Sequence, residues 1–138
     1  MATVRLVSDA EAGPEVAAVY ADIRATRGGD FINNFWRALA NDPPLLAATW
    51  ARLKEVMGKG REGGLDPLTK EMLYIAVSIA NGCDYCIHSH TAAAKAKGMT
   101  EAQHGDLLAV VAMAAQTNAL AEALGVEADE RFLAPSPS

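Results

Sequence analysis

Both cysteines and two of the three histidines of this 138-residue chain fall in one segment, residues 70–98, which reads KEMLYIAVSIANGCDYCIHSHTAAAKAKG. Cys83 and Cys86 form a C-x-x-C pair, His90 lies four residues after Cys86, and Glu71 lies twelve residues before Cys83. A thiolate is a strong nucleophile, a neighbouring thiol can capture its oxidised product as a disulfide, and an imidazole or carboxylate can carry the protons. Together these residues point to thiol redox chemistry. Other readings use some of the same groups. Cys83 and Cys86 supply half of a zinc site if His90 or His104 completes it, but such sites take four converging ligands and the chain has no second C-x-x-C. Two inert, buried cysteines would have the same spacing. Glu71 alone reads as a first-turn glutamate complementing a helix dipole, and His90 alone as a core or surface histidine. The convergence of all four favours redox chemistry.

Two helices must position these groups. Asp66-Pro67 supplies an N-cap and a first-turn proline, and Asn81-Gly82 is a stop, because glycine readily takes the left-handed conformation that ends a helix. The apolar run between them is too long for an ordinary strand and predicts a helix over residues 67–80. A second helix is predicted from near Cys83 to Gly98, with Lys95 and Lys97 at its negative end. At about 100° per residue, Cys83, Cys86 and His90 fall within roughly 60° of one another on that helix, and His88 points away. Both cysteines sit in the first turn, where unpaired N–H groups and the dipole favour the thiolate.

The remaining segments read as further helices. Residues 13–28 carry Val16, Val19, Tyr20 and Ile23 at helical spacing, with Pro14 in the first turn and Gly28-Gly29 as the stop. Asn33 or Asn34 caps a short helix reaching about Ala40, and Pro43-Pro44 ends it and opens the next, over about residues 44–57. Phe35, Trp36 and Trp50 read first as core, with an apolar substrate wall as the alternative. After Gly98, Thr100 and Gln103 have capping-box spacing and open a helix from Glu101 toward Leu124, with a bend expected at Gly105. Its apolar residues spread over more than one face, which fits burial within the domain or between subunits. His104 shows no partner and reads as surface. No segment alternates like a strand face, so the expectation is an all-α fold of six or seven helices. It would form one domain over residues 1–138, with a short extended lead-in at residues 4–7 and a frayed tail after about residue 133.

A hydrophobic share of 51%, a charged share of 21% and a net charge of −5 describe a globular chain without a basic stripe, so no nucleic-acid partner is expected. The first residues lack the apolar core of a signal peptide, and the apolar helices read as interrupted before they could span a bilayer. The expected address is cytoplasmic, with no membrane partner. In that compartment a C-x-x-C pair is more often catalytic or metal-binding than a structural staple.

The pattern E-x(11)-C-x-Y-C-x(3)-H, carried by Glu71, Cys83, Tyr85, Cys86 and His90, resembles the active-site signature of the AhpD-like alkylhydroperoxidases of the carboxymuconolactone decarboxylase superfamily. The segment NNFWRALANDPPLL and the L-x(4)-K-E stretch ending at Glu71 are similar to its small peroxidase-related members, and the resemblance spans about residues 23–126. It implies the all-helical AhpD fold, assembled as trimers or hexamers. It also implies that Cys86 attacks the peroxide, that Cys83 resolves the sulfenic acid, and that Glu71 and His90 form the proton relay. Better-studied members carry a histidine at the position of Tyr85, whereas a tyrosine, with a reference pKa of about 10, is a poor base near neutrality. The implied substrate is a hydroperoxide and the implied donor a dithiol, for which a dihydrolipoyl protein is one candidate; the cycle requires no metal, haem or flavin cofactor. The superfamily's decarboxylases lack the paired cysteines. Acid/base chemistry by Glu71 and His90 on a small lactone, or a non-enzymatic metal-binding or redox-sensing subunit, are the alternatives.

Overall fold

The computed structural model describes residues 1–133. They form six α-helices and two short 3-10 turns, with no strand among the described residues. The helices are α1 (Pro14–Arg27), α2 (Asn34–Leu39), α3 (Pro43–Met57), α4 (Pro67–Asn81), α5 (Asp84–Ala96) and α6 (Glu101–Leu124). The expected all-α class holds, and the six helices follow the stops and caps read from the sequence. The tail expected to fray after about residue 133 lies outside the described residues.

The chain divides into two compact units, Met1–Gly64 and a second that begins at Leu65. In the first, α3 packs against α1 and α2. Its core gathers Val16, Tyr20, Ile23, Ile32, Trp36, Leu46 and Trp50, and Trp36 meets Trp50 edge to face with centroids 5.3 Å apart. Both tryptophans are buried and Phe35 is exposed, so this aromatic group is chiefly core. The Tyr20 hydroxyl donates to the Val7 carbonyl at 2.9 Å, and Val7 N–H donates to the Arg37 carbonyl at 3.0 Å, which ties down the lead-in. Just after that lead-in, Asp9–Glu11 is a 3-10 turn closed by a Ser8–Glu11 capping box that the sequence reading did not anticipate.

In the second unit α4 packs on α5 and α6. Ile75, Ala94, Met99 and Leu107 form the buried cluster, with Leu68, Met72, Ile79 and Val111 against it. The Asp66 carboxylate caps α4 by accepting from Thr69 N–H at 3.0 Å, and Pro67 occupies the first turn. Thr100 and Gln103 make the expected capping box of α6.

The expectation that the apolar helices stop short of a bilayer's width is corrected by α6, and of its two expected burials, within the domain or between subunits, the first is not found. This helix runs continuously through Gly105 for 24 residues and is, among the described residues, the one helix long and apolar enough, by length and composition, to cross a membrane. A single interior glycine costs only about 1 kcal/mol, which a helix capped at both ends absorbs. Nor is α6 buried within its own chain. Leu107 is its one buried residue, and Leu108, Val110, Met113, Leu120 and Leu124 are exposed. His104, expected on the surface, is half-buried in its first turn.

Candidate active site

The site is built on the α4–α5 corner. Gly82, at φ 69°, ends α4 in the left-handed conformation. Its N–H donates to the Ile79 carbonyl at 3.1 Å, and the N–H of Cys83 donates to the Ser78 carbonyl at 2.9 Å. These are the two bonds of a Schellman motif. They bring the chain out of α4 at a fixed angle and leave Cys83 as the N-cap of α5. The Cys83 carbonyl then accepts from Ile87 N–H at 2.9 Å, the first bond of the new helix. One residue thus ends one helix and begins the next.

Cys83 and Cys86 are joined as a disulfide, with Cα atoms 5.3 Å apart. Cys83 Sγ also accepts from the N–H of Cys86 at 3.3 Å, as an N-cap oxygen would. The pair is half-buried at the start of α5. Its sulfurs are bound to each other, and among the described residues no group of three or more His, Cys, Asp or Glu side chains is placed to hold a metal ion.

His90 lies one turn along α5 from Cys86, and its Nδ1 is 2.6 Å from Glu71 Oε2. Glu71 is the fifth residue of α4 and only 5% exposed, so it is a buried carboxylate and not the first-turn surface glutamate that its position alone suggests. Burial, the largest single influence on this carboxyl, pushes its pKa up. Hydrogen bonds from His90 and Lys97, with the charges of both, outweigh it and hold the group below its ordinary value. Glu71 is therefore ionised at neutral pH. With the carboxylate as acceptor, His90 Nδ1–H is the donor, which leaves Nε2 as the acceptor nitrogen whenever the ring is neutral.

The structure thus brings together Glu71 with His90, and Cys83 with Cys86, on two adjoining helices. Tyr85 is exposed on the first turn of α5 between the cysteines. His88, expected to point away from this group, is turned to solvent and lies 3.6 Å from Asp84. Two neighbours of the Glu71–His90 pair escaped the sequence reading. Tyr74 stacks on the His90 ring with centroids 3.6 Å apart and planes 20° from parallel. Lys97 Nζ lies 3.1 Å from Glu71 Oε1 and does not serve merely as a helix-end charge. Both have a helical signal: Tyr74 follows Glu71 by three residues, which puts it on the Glu71 face of α4, and Lys97 follows His90 by seven, which puts it on the His90 face of α5.

Residues 44–129 match the model of the carboxymuconolactone decarboxylase family. The chain belongs to that family. Among curated proteins, it is 38% identical over 87 residues to an alkyl hydroperoxide reductase AhpD of Solibacter usitatus, an alignment covering 62% of this chain and 46% of the relative. A protein of the same name from Maricaulis maris is 41% identical over 64 residues, covering 46% of this chain and 35% of the relative. The chain spans about half the length, or less, of these curated relatives. A crystal structure of an alkylhydroperoxidase AhpD core from Rhodospirillum rubrum is 63% identical and superposes with a TM-score of 0.93, covering 98% of this chain and 99% of that one. At that identity and coverage, this family member shares the all-helical AhpD fold.

Proposed function

We propose that this protein is a thiol-dependent hydroperoxide reductase whose working groups are Cys86, Cys83, His90 and Glu71, with Tyr85 beside them. The observation that carries the reading is the buried Glu71–His90 hydrogen bond on the same two helices that hold the Cys83–Cys86 disulfide. The names of the AhpD relatives and of the Rhodospirillum rubrum core support it.

In the reduced protein, His90 Nε2 accepts the proton of Cys86, and Glu71 stabilises the imidazolium through Nδ1. The Cys86 thiolate attacks the terminal oxygen of the hydroperoxide. The S–O bond forms as the O–O bond breaks, and the departing alkoxide takes a proton to become the alcohol. Cys83, as thiolate, then attacks the Cys86 sulfenic acid; the S–S bond forms, the S–O bond breaks, and hydroxide leaves with a proton as water. Two thiols and one peroxide yield one disulfide, one alcohol and one water. The disulfide present in the structure corresponds to the end of this half-cycle. A dithiol donor, such as a dihydrolipoyl protein, returns two electrons and two protons. Tyr85, a phenol able to donate a hydrogen bond but a poor base near neutrality, leaves the base role to His90. In the same proposal the chain works as a single AhpD-like domain, in the cytoplasm, as a homo-oligomer.

Titration of free thiols before and after one equivalent of an alkyl hydroperoxide tests the reading. Loss of two thiols per chain in the wild type, and of none by disulfide formation in Cys86→Ser, is expected. Turnover by Cys86→Ser equal to that of the wild type sinks it.

A further inference from the structure

Lys97 is the C-cap residue of α5, and its place is fixed by the backbone after it. Gly98, at φ 97°, donates its N–H to the Lys95 carbonyl at 3.0 Å. Met99 N–H donates to the Ala94 carbonyl at 2.9 Å, and its side chain is buried in the core of the second unit. A lysine that only complemented the helix dipole would keep its ammonium at the last carbonyls of its own helix. Lys97 instead reaches α4 and contacts the Glu71 oxygen that His90 does not use. Its neighbour Lys95 pairs with exposed Glu101 at 3.2 Å and has no such role.

We propose that Lys97 is a positioning residue of the proton relay: its ammonium holds Glu71 Oε1, so that Oε2 stays on His90 Nδ1 and Nε2 remains the nitrogen that exchanges protons with the thiols. This inference rests on the peroxidase reading for its biological meaning but not for its test. A buried carboxylate with one partner can rotate or take up a proton. With both oxygens bound it has one orientation and keeps its charge. The ionisable groups acting on Glu71 are His90, on α5, and Lys97, at its C-cap. Without the lysine, Glu71 can turn away from His90 or take up a proton; the imidazolium that stabilises the thiolate then loses its anionic partner, so the acid limb of thiol reactivity moves to higher pH.

The test is the pH dependence of iodoacetamide alkylation of the reduced protein, with no peroxide present. Lys97→Gln and Lys97→Met, the second retaining the aliphatic stem in case the first fails to fold, should raise the midpoint by about half to one pH unit, a range reduced for the partial exposure of the ammonium. Lys97→Arg should restore it, and Lys95→Gln should leave it unchanged. In a Glu71→Gln background, Lys97→Gln should add no further shift, because the lysine acts through that carboxylate. Folded Lys97 variants with wild-type midpoints, or an equal shift in the Glu71→Gln background, would overturn the assignment. The peroxidase reading fails separately, if the wild type forms no disulfide with hydroperoxide.

Discussion

At Glu71 two influences oppose each other: burial favours the protonated acid, and the partners on its two oxygens favour the carboxylate. The partners prevail, which gives a sign to the pH dependence. Because the folded-state pKa is lowered, ionised Glu71 contributes stability that is fully present above the unfolded value, about 4.3. That contribution fades as the pH falls through the lower folded value. The melting-temperature difference between wild type and Glu71→Gln should therefore shift against the wild type as the pH falls below about 4; paired thermal melts between about pH 5 and 3 check it. In catalysis, Glu71→Gln leaves His90 without its anionic partner and should slow hydroperoxide reduction by about 100-fold or more, read as disulfide formation in single turnover. Cys83→Ser should still consume one peroxide per Cys86 but stop at the sulfenic acid, detectable by a dimedone adduct in the mass spectrum. Tyr74 and Lys97 were legible as chemical types but not as members of the site. Spacing within one helix does not say which residue of a neighbouring helix a side chain will reach. Glu71 and His90 could be paired only through the family signature for the same reason.

The helices were legible because their ends carry strong local chemistry. Asp66-Pro67, Asn81-Gly82 and the Thr100–Gln103 pair all do what their types demand. The least visible element was the Asp9–Glu11 turn, whose capping box is only one turn long and precedes no apolar run. The Gly82 corner is where backbone conformation matters most. Nothing lies within 4 Å of the place a Cβ would occupy there, so Gly82→Ala meets a purely conformational penalty at φ 69°. That penalty should be about 1–2 kcal/mol, measured by urea unfolding of the reduced protein, and Gly82→Asn should recover part of it. In the first unit, Trp36→Ala removes a fully buried ring stacked edge to face on Trp50 and should cost about 3–5 kcal/mol in the same assay.

At the scale of the whole molecule, α6 carries the largest question. Its apolar breadth was plain in the sequence, but whether that breadth faced its own core or the outside depended on tertiary packing that no single-helix pattern encodes. Among its large apolar residues, Leu108, Val110, Met113, Leu120 and Leu124 face outward in the single chain. If the proposed homo-oligomer covers this surface, sedimentation in detergent-free buffer should give a whole multiple of the 14.5 kDa chain mass, and Val110→Glu with Met113→Glu should reduce it to the single-chain value. Recovery of the protein only from membranes would instead assign α6 to a bilayer.

The corner between α4 and α5 makes the proposed resolving cysteine separable from the architecture around it. The backbone amide and carbonyl of Cys83 stitch the two helices together, and its side chain merely sits where a hydroxyl would serve at least as well. Serine at this position should keep the seam closed, so dithiothreitol-treated wild type and the serine variant should melt at nearly the same temperature. Any chemical deficit in that variant then belongs to the missing sulfur and not to a loosened hinge.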